Sequence, residues 1–164
     1  MYPAPFAALV TRVEKEHRLP EGLVHAVMRQ ESGFDTEVVS PARAVGLMQL
    51  LPETAAATGL EMGIVTTDAD LVVPGKSVRL GARYLRDVLD RVASVPLAVA
   101  AYNAGPDAIE RWSRTMRLDL DAFVEAIPYA ETRGYVSRVM GSLARYGYLA
   151  AGEDGVPRVE LALP

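Results

Sequence analysis

The stretch Leu23-Val24-His25-Ala26-Val27-Met28-Arg29-Gln30-Glu31-Ser32 decides how the chain is to be read. At about 100° per residue, Val24, Val27 and Met28 fall on one arc of a helix, and His25 and Arg29 fall on the other side. Glu31, four residues beyond Val27 and three beyond Met28, lies inside the apolar arc. An unpaired charge there is costly, because burial strips its water. Desolvation disfavours the ionised form, so the wheel predicts a Glu31 carboxyl held above its ordinary range, as a general acid near neutral pH requires. A glutamate at a helix end that turns to water or to an arginine fits the same wheel, and the surrounding sequence must decide.

Outward from this stretch, helical periodicity dominates. Phe6, Leu9, Val10 and Val13 predict an N-terminal helix that breaks at residues 17–20. Pro20 and Glu21 then read as the first turn of the helix that ends near Ser32. Residues 33–45 read as a loop, Pro52 starts a short helix, and residues 59–73 form a second loop. A long helix is expected over 78–92, with Leu80, Tyr84, Leu85, Val88 and Leu89 on one side. Pro96 opens an apolar helix that Asn103-Ala104-Gly105-Pro106 breaks. Two short helices, 108–116 and 120–126, precede a long one over 132–148 whose stripe is Tyr135, Val136, Val139, Met140 and Leu143. After the turn at Gly152-Glu153-Asp154-Gly155, the alternation of Val159, Leu161 and Leu163 with polar residues fits a short edge strand or an ordered tail. The expectation is one mostly α domain over 1–150 and a tail over 151–164.

Composition excludes several classes. The 164 residues carry a net charge of −4, with no basic stripe for nucleic acid. There is no cysteine, hence no disulfide framework or thiolate metal site. The two imidazoles, His17 and His25, lack metal-site spacing, so neither metal nor cofactor is expected. No stretch approaches the ~18 apolar residues of a membrane span. The first ten residues lack the cationic start of a signal peptide, so an export signal is expected to lie outside this sequence.

Three further segments carry polar chemistry. Ser40-Pro41-Ala42-Arg43-Ala44-Val45-Gly46-Leu47-Met48-Gln49 places a glycine and an amide just ahead of a helix, suited to close backbone approach to a ligand, or to an ordinary glycine turn. Ala101-Tyr102-Asn103-Ala104-Gly105 puts a phenol and an amide at the end of a buried helix, where they can orient a polar ligand or simply cap the helix. In Ile127-Pro128-Tyr129-Ala130-Glu131-Thr132-Arg133, Thr132 fits a helix cap and Glu131 with Arg133 a surface ion pair.

Together, Gln30-Glu31-Ser32-Gly33-Phe34-Asp35, Gly46-Leu47-Met48-Gln49, Ala101-Tyr102-Asn103-Ala104-Gly105 and the Ile127–Arg133 run resemble, in order and spacing, the lytic transglycosylase family. The likeness covers residues 2–148 and is nearest to the catalytic domain of the soluble periplasmic members. It implies a lysozyme-like, mostly α fold with a saccharide-binding groove. Glu31 matches the family's catalytic glutamate, and Ser40 a serine contacting the sugar beside the scissile bond. Gly46, Met48 and Gln49 match groove-lining positions, Tyr102 and Asn103 the pair facing the catalytic carboxyl, and Glu131 an acid reaching the stem peptide. Arg43-Ala44 departs from the family's usual Gly-Ala, and Leu51 stands where many members have methionine.

The implied chemistry needs one carboxylate rather than the usual glycosidase pair. Glu31 would protonate the oxygen between N-acetylmuramic acid and N-acetylglucosamine, then accept the proton of the muramic C6 hydroxyl as it closes on C1, leaving a 1,6-anhydromuramic end. The implied partners are peptidoglycan glycan strands and stem peptides, met in the periplasm or cell envelope by a monomer that is either a minimal enzyme or one domain of a larger chain, in housekeeping or equally in a secretion or phage system. A lysozyme-type hydrolase of similar fold and a non-catalytic peptidoglycan-binding module are the competing functions.

Overall fold

The computed structural model describes residues 2–116 and 118–158, and the elements in them are helical. Among the described residues, extended pairing is confined to two isolated antiparallel bridges, Val39 with Val45 and Val45 with Leu50. Contacts divide the chain into two compact units, Met1–Tyr84 and Leu85–Pro164.

In the first unit, α1 (Ala7–Glu16) buries Val10 and Val13 and leaves Phe6 exposed at its start. α1 packs on α2 (Leu23–Glu31), whose Val24, Val27 and Met28 are fully buried, as the wheel requires. α2 begins later than its sequence suggests. Pro20 and Glu21 lie in a turn, and the helix starts behind Gly22, because the Glu14 carboxylate reaches across to its open amides. The outward side of α2 is covered too. His25 is buried, its Nε2–H donating to the Pro5 carbonyl at 2.9 Å, and Arg29 lies 4.3 Å over the Tyr2 ring. α3 (Pro52–Glu61) opens on a proline, where a missing N–H costs nothing. The loop expected after it contains a 3-10 turn, Asp68–Asp70, closed by a reciprocal cap between Thr67 and Asp70.

The helix expected from residue 78 starts earlier: α4 is Pro74–Val92, and it crosses the division between the units. In the second unit, α5 (Val95–Ala104) is buried from Pro96 to Ala101 and packs on α6 (Pro106–Met116) and α8 (Ala130–Ala151). Arg91 near the end of α4 pairs with Asp107 and Glu110 of α6. α7 (Leu120–Ala126) contributes Leu120 and Phe123 to the core and packs on α8. The expected stripe of α8 is buried at Tyr135, Val136, Val139 and Leu143. α8 ends on a 3-10 turn, Gly152–Gly155. The strand expected at Val159, Leu161 and Leu163 lies outside the described residues. Among the described residues no helix is long and apolar enough to cross a membrane.

Candidate active site

Glu31 is the last residue of α2 and is half-buried, whereas the other acids of the motif segments, Asp35, Glu37, Glu53 and Glu131, are exposed. The next residue ties α2 to the second motif. Ser32 Oγ lies 3.1 Å from the Met28 carbonyl and 3.0 Å from the Leu47 carbonyl, and it accepts the Phe34 N–H at 3.0 Å. The helix end that carries the glutamate is thereby joined to the Gly46–Gln49 run.

That run is held by backbone fit. Gly46 has φ +74°, and a Cβ on it would lie 2.0 Å from the Leu71 carbonyl oxygen, so no larger residue fits. Its N–H donates to Val38 O at 2.9 Å. Gln49 also adopts the left-handed region, φ +44°, and its Nε2 donates to Val38 O and Gly46 O, both at 3.0 Å. The amide nitrogen is thus used to close the loop, and the Oε1 acceptor remains. Met48 is 0 % exposed. It lies beneath the run rather than at its surface, against Gly81 of α4, where a Cβ would come within 2.5 Å of its side chain. Its N–H donates to Ser77 Oγ at 3.4 Å.

Ser40 closes the adjoining turn. Its Oγ accepts the Ala44 N–H at 3.0 Å, and its own N–H donates to Ala44 O at 2.9 Å. Arg43, where the resembling family usually has glycine, takes φ +67°, the backbone that glycine adopts without strain. Its side chain is exposed and lies 4.0 Å from Asp68. Glu31, Ser40, Gly46, Met48 and Gln49 therefore belong to one unit and one connected set of loops.

Tyr102, Asn103 and Glu131 belong to the second unit. Tyr102 and Asn103 are half-buried near the end of α5. Thr132 does not cap α8. The helix starts at Ala130, and the Thr132 hydroxyl, buried in its first turn, donates to Asn103 Oδ1 at 2.7 Å. Arg133 donates to the Ile127 carbonyl at 2.5 Å, and among the described residues no ion pair joins it to Glu131, which is exposed. Trp112 meets Tyr129 edge-on at 5.1 Å beside this segment.

Glu14 has no counterpart in the sequence expectations. It is 4 % exposed, and its two oxygens accept the Gly22 N–H at 3.1 Å and the Val24 N–H at 2.9 Å, which caps α2 at the end opposite Glu31. Burial pushes its carboxyl up to about 7, against the pull of the two amides. Burial likewise lowers the His25 imidazole from its ordinary value. Among the described residues no group of three or more His, Asp or Glu is placed to hold a metal ion.

The scaffold and the site define the class first: a mostly α, lysozyme-like fold with one sheltered glutamate at the end of a buried helix. Solved structures of that class superimpose on it closely. The lytic transglycosylase of Pseudomonas aeruginosa, solved as an inactive mutant, gives a TM-score of 0.86 at 35 % identity, covering 97 % of this chain and 26 % of that one. The 70 kDa soluble lytic transglycosylase of Escherichia coli gives 0.88 at 33 % identity, over 96 % of this chain and 26 % of that one. In sequence, the soluble lytic murein transglycosylase of Escherichia coli K12 is 36 % identical over 152 residues, which is 90 % of this chain. The chain spans about a quarter of the length of these relatives. The transglycosylase SLT domain matches residues 8–120, and the chain belongs to that family.

Proposed function

We propose that this domain is a peptidoglycan lytic transglycosylase, cleaving the β-1,4 bond from N-acetylmuramic acid to N-acetylglucosamine and leaving 1,6-anhydromuramic ends. The observation that carries the mechanism is that Glu31 alone among the motif acids is sheltered, at a helix end pinned by Ser32. A single carboxyl suffices if the second nucleophile belongs to the substrate. Glu31, protonated at the start, delivers its proton to the glycosidic oxygen as the C1–O bond breaks, and the muramic acetamido group stabilises the developing cation. The Glu31 carboxylate then removes the C6 hydroxyl proton while that oxygen bonds to C1. The proton returns to Glu31 and no water is consumed. Holding the C6 hydroxyl against C1 is a matter of orientation, which a rigid site supplies.

The remaining roles follow the motifs. The Ser40 hydroxyl, with one lone pair on Ala44 N–H, still has its proton to donate to the sugar. Gln49 offers Oε1, Gly46 keeps the backbone close to the strand, and the buried Met48 supports the run from below. Tyr102 and Asn103 orient the reacting sugar, Asn103 with its amide fixed by Thr132, and the exposed Glu131 meets the stem peptide. Because that polymer lies in the cell envelope, the periplasm is the proposed location.

Mass spectrometry of purified sacculi digested with the chain tests the assignment. Anhydromuropeptides, one water lighter than hydrolysed muropeptides, are the expected product; reducing-end muramic acid as the sole product would establish a lysozyme-type hydrolase instead. Glu31→Gln is expected to abolish release while the variant still sediments with sacculi. Undiminished release by Glu31→Gln would remove the mechanism.

A further inference from the structure

A cavity in the first unit, of about 430 Å³, opens between the Ile64–Thr66 segment and the first turns of α4. It lies on another side of α4 from the Gly46–Gln49 run. Ser77 and Gly81 face that run, and at about 100° per residue Lys76 and Arg79 stand roughly 100–160° around the helix from them. The walls combine two chemistries. Ile64, Val65 and Leu80 are aliphatic, and Val65 is 87 % exposed, so its apolar surface is uncovered. The lining also carries two cations that the protein does not saturate. Lys76 gives one of its three donors to Asp70 at 2.5 Å, and Asp70 is otherwise occupied by the Thr67 N–H. The exposed Arg79 has no hydrogen-bond or ion-pair partner among the described residues, so its guanidinium fork is open. Thr66, which also lines the cavity, has its Oγ1 buried against Gly59 with no hydrogen-bond partner among the described residues.

We propose that this cavity binds an aliphatic monocarboxylate, its carboxylate held bidentately by Arg79 with Lys76 alongside, and its hydrocarbon body against Ile64, Val65 and Leu80. Two cations less the Asp70 carboxylate leave one positive charge, which matches a monoanion. A phosphate dianion would exceed that charge and meet Asp70, and it has nothing to place on the aliphatic wall. Arginine favours the planar carboxylate because two parallel N–H donors meet its two oxygens. Two sources share this chemistry: the C-terminal residue of a peptide with a small aliphatic side chain, and a free branched fatty acid.

The inference does not rest on the proposed cleavage reaction, and its test reads binding alone. Amide resonances of the isotope-labelled chain are followed while N-acetylvaline, N-acetylvalinamide or isovalerate is added. N-acetylvaline is expected to move residues 64–66 and 76–80, with the uncharged amide about tenfold weaker or worse. Arg79→Gln is expected to weaken N-acetylvaline about tenfold, and Arg79→Lys less, in variants whose other resonances stay in place. Isovalerate binding as well as N-acetylvaline identifies free carboxylates as the ligand; isovalerate about tenfold weaker identifies a peptide terminus. Equal binding of the amide, unchanged binding by Arg79→Gln, or no response of these residues up to ~50 mM N-acetylvaline would each overturn the proposal.

Discussion

Replacing Glu14 with glutamine tests the capping of α2 directly. In the native chain the Glu14 carboxyl sits at about 7 instead of its ordinary 4.5, because burial outweighs the two amide hydrogen bonds. The sign follows from the proton count. Between about 4.5 and 7 the folded chain holds a proton on Glu14 that the unfolded chain has released, so stability falls as pH rises through that window. A displacement of this size corresponds to roughly 3 kcal/mol between pH 4 and pH 8. Glu14→Gln removes the titration. It also loses an acceptor: glutamine presents one carbonyl oxygen to the two amides of Gly22 and Val24 and leaves a buried NH2 to satisfy, at a cost of about 1–3 kcal/mol. The variant is therefore expected to be less stable than the parent near pH 5 and equal to it or better near pH 8. Urea unfolding at both pH values measures this. His25, whose lowered imidazole makes stability fall as pH drops below its ordinary 6.5, titrates in both proteins and largely cancels in the comparison. If the two stability curves run parallel within about 1 kcal/mol between pH 5 and pH 8, Glu14 does not carry a buried ionisation and the reasoning fails.

Thr132→Val should release the Asn103 amide, costing about 1 kcal/mol of stability; up to a tenfold loss of kcat with KM little changed is expected in a muropeptide-release assay. Arg43→Gly should stabilise the chain by about 0.5–1 kcal/mol in thermal unfolding, because it relieves a left-handed backbone and gives up only an exposed 4.0 Å ion pair. Gly46→Ala should be severe, above ~3 kcal/mol, since its Cβ collides with the Leu71 backbone at 2.0 Å in an already left-handed residue; circular dichroism at rising temperature will show the loss.

Much of the helical framework was legible because burial imposes a 3.6-residue rhythm on Val10, Val13, Val24, Val27 and Val139 alike. The same rhythm contained Glu14, one turn beyond Val10 and beside Val13, and the wheel that picked out Glu31 would have picked it out too. It reads as surface only if charge is assumed to face water. The start of α2 was illegible for a related reason, since its cap comes from a residue eight positions upstream of Gly22. The segment between residues 33 and 50 has no period to read. Its shape comes from left-handed residues at Phe34, Arg43 and Gln49 and from two isolated bridges, none of which leaves a pattern in residue type. Likewise the partner of Asn103 is a threonine 29 residues away, and only tertiary packing brings the two together.

Glu14 and Ser32 hold the two ends of a nine-residue helix about 13 Å long. Treated as a beam clamped at both supports, α2 can pivot only as far as its clamps slip. A slip of ~0.5 Å at one end rotates it by roughly 2°, a small part of the ~10–20° within which a functional side chain has to be aimed. The aim of Glu31 therefore turns little when either clamp slips. Beyond the Ser32 clamp the support continues into packed backbone, since Leu47 and Met48 are fully buried and Gly46 is wedged against the Leu71 carbonyl.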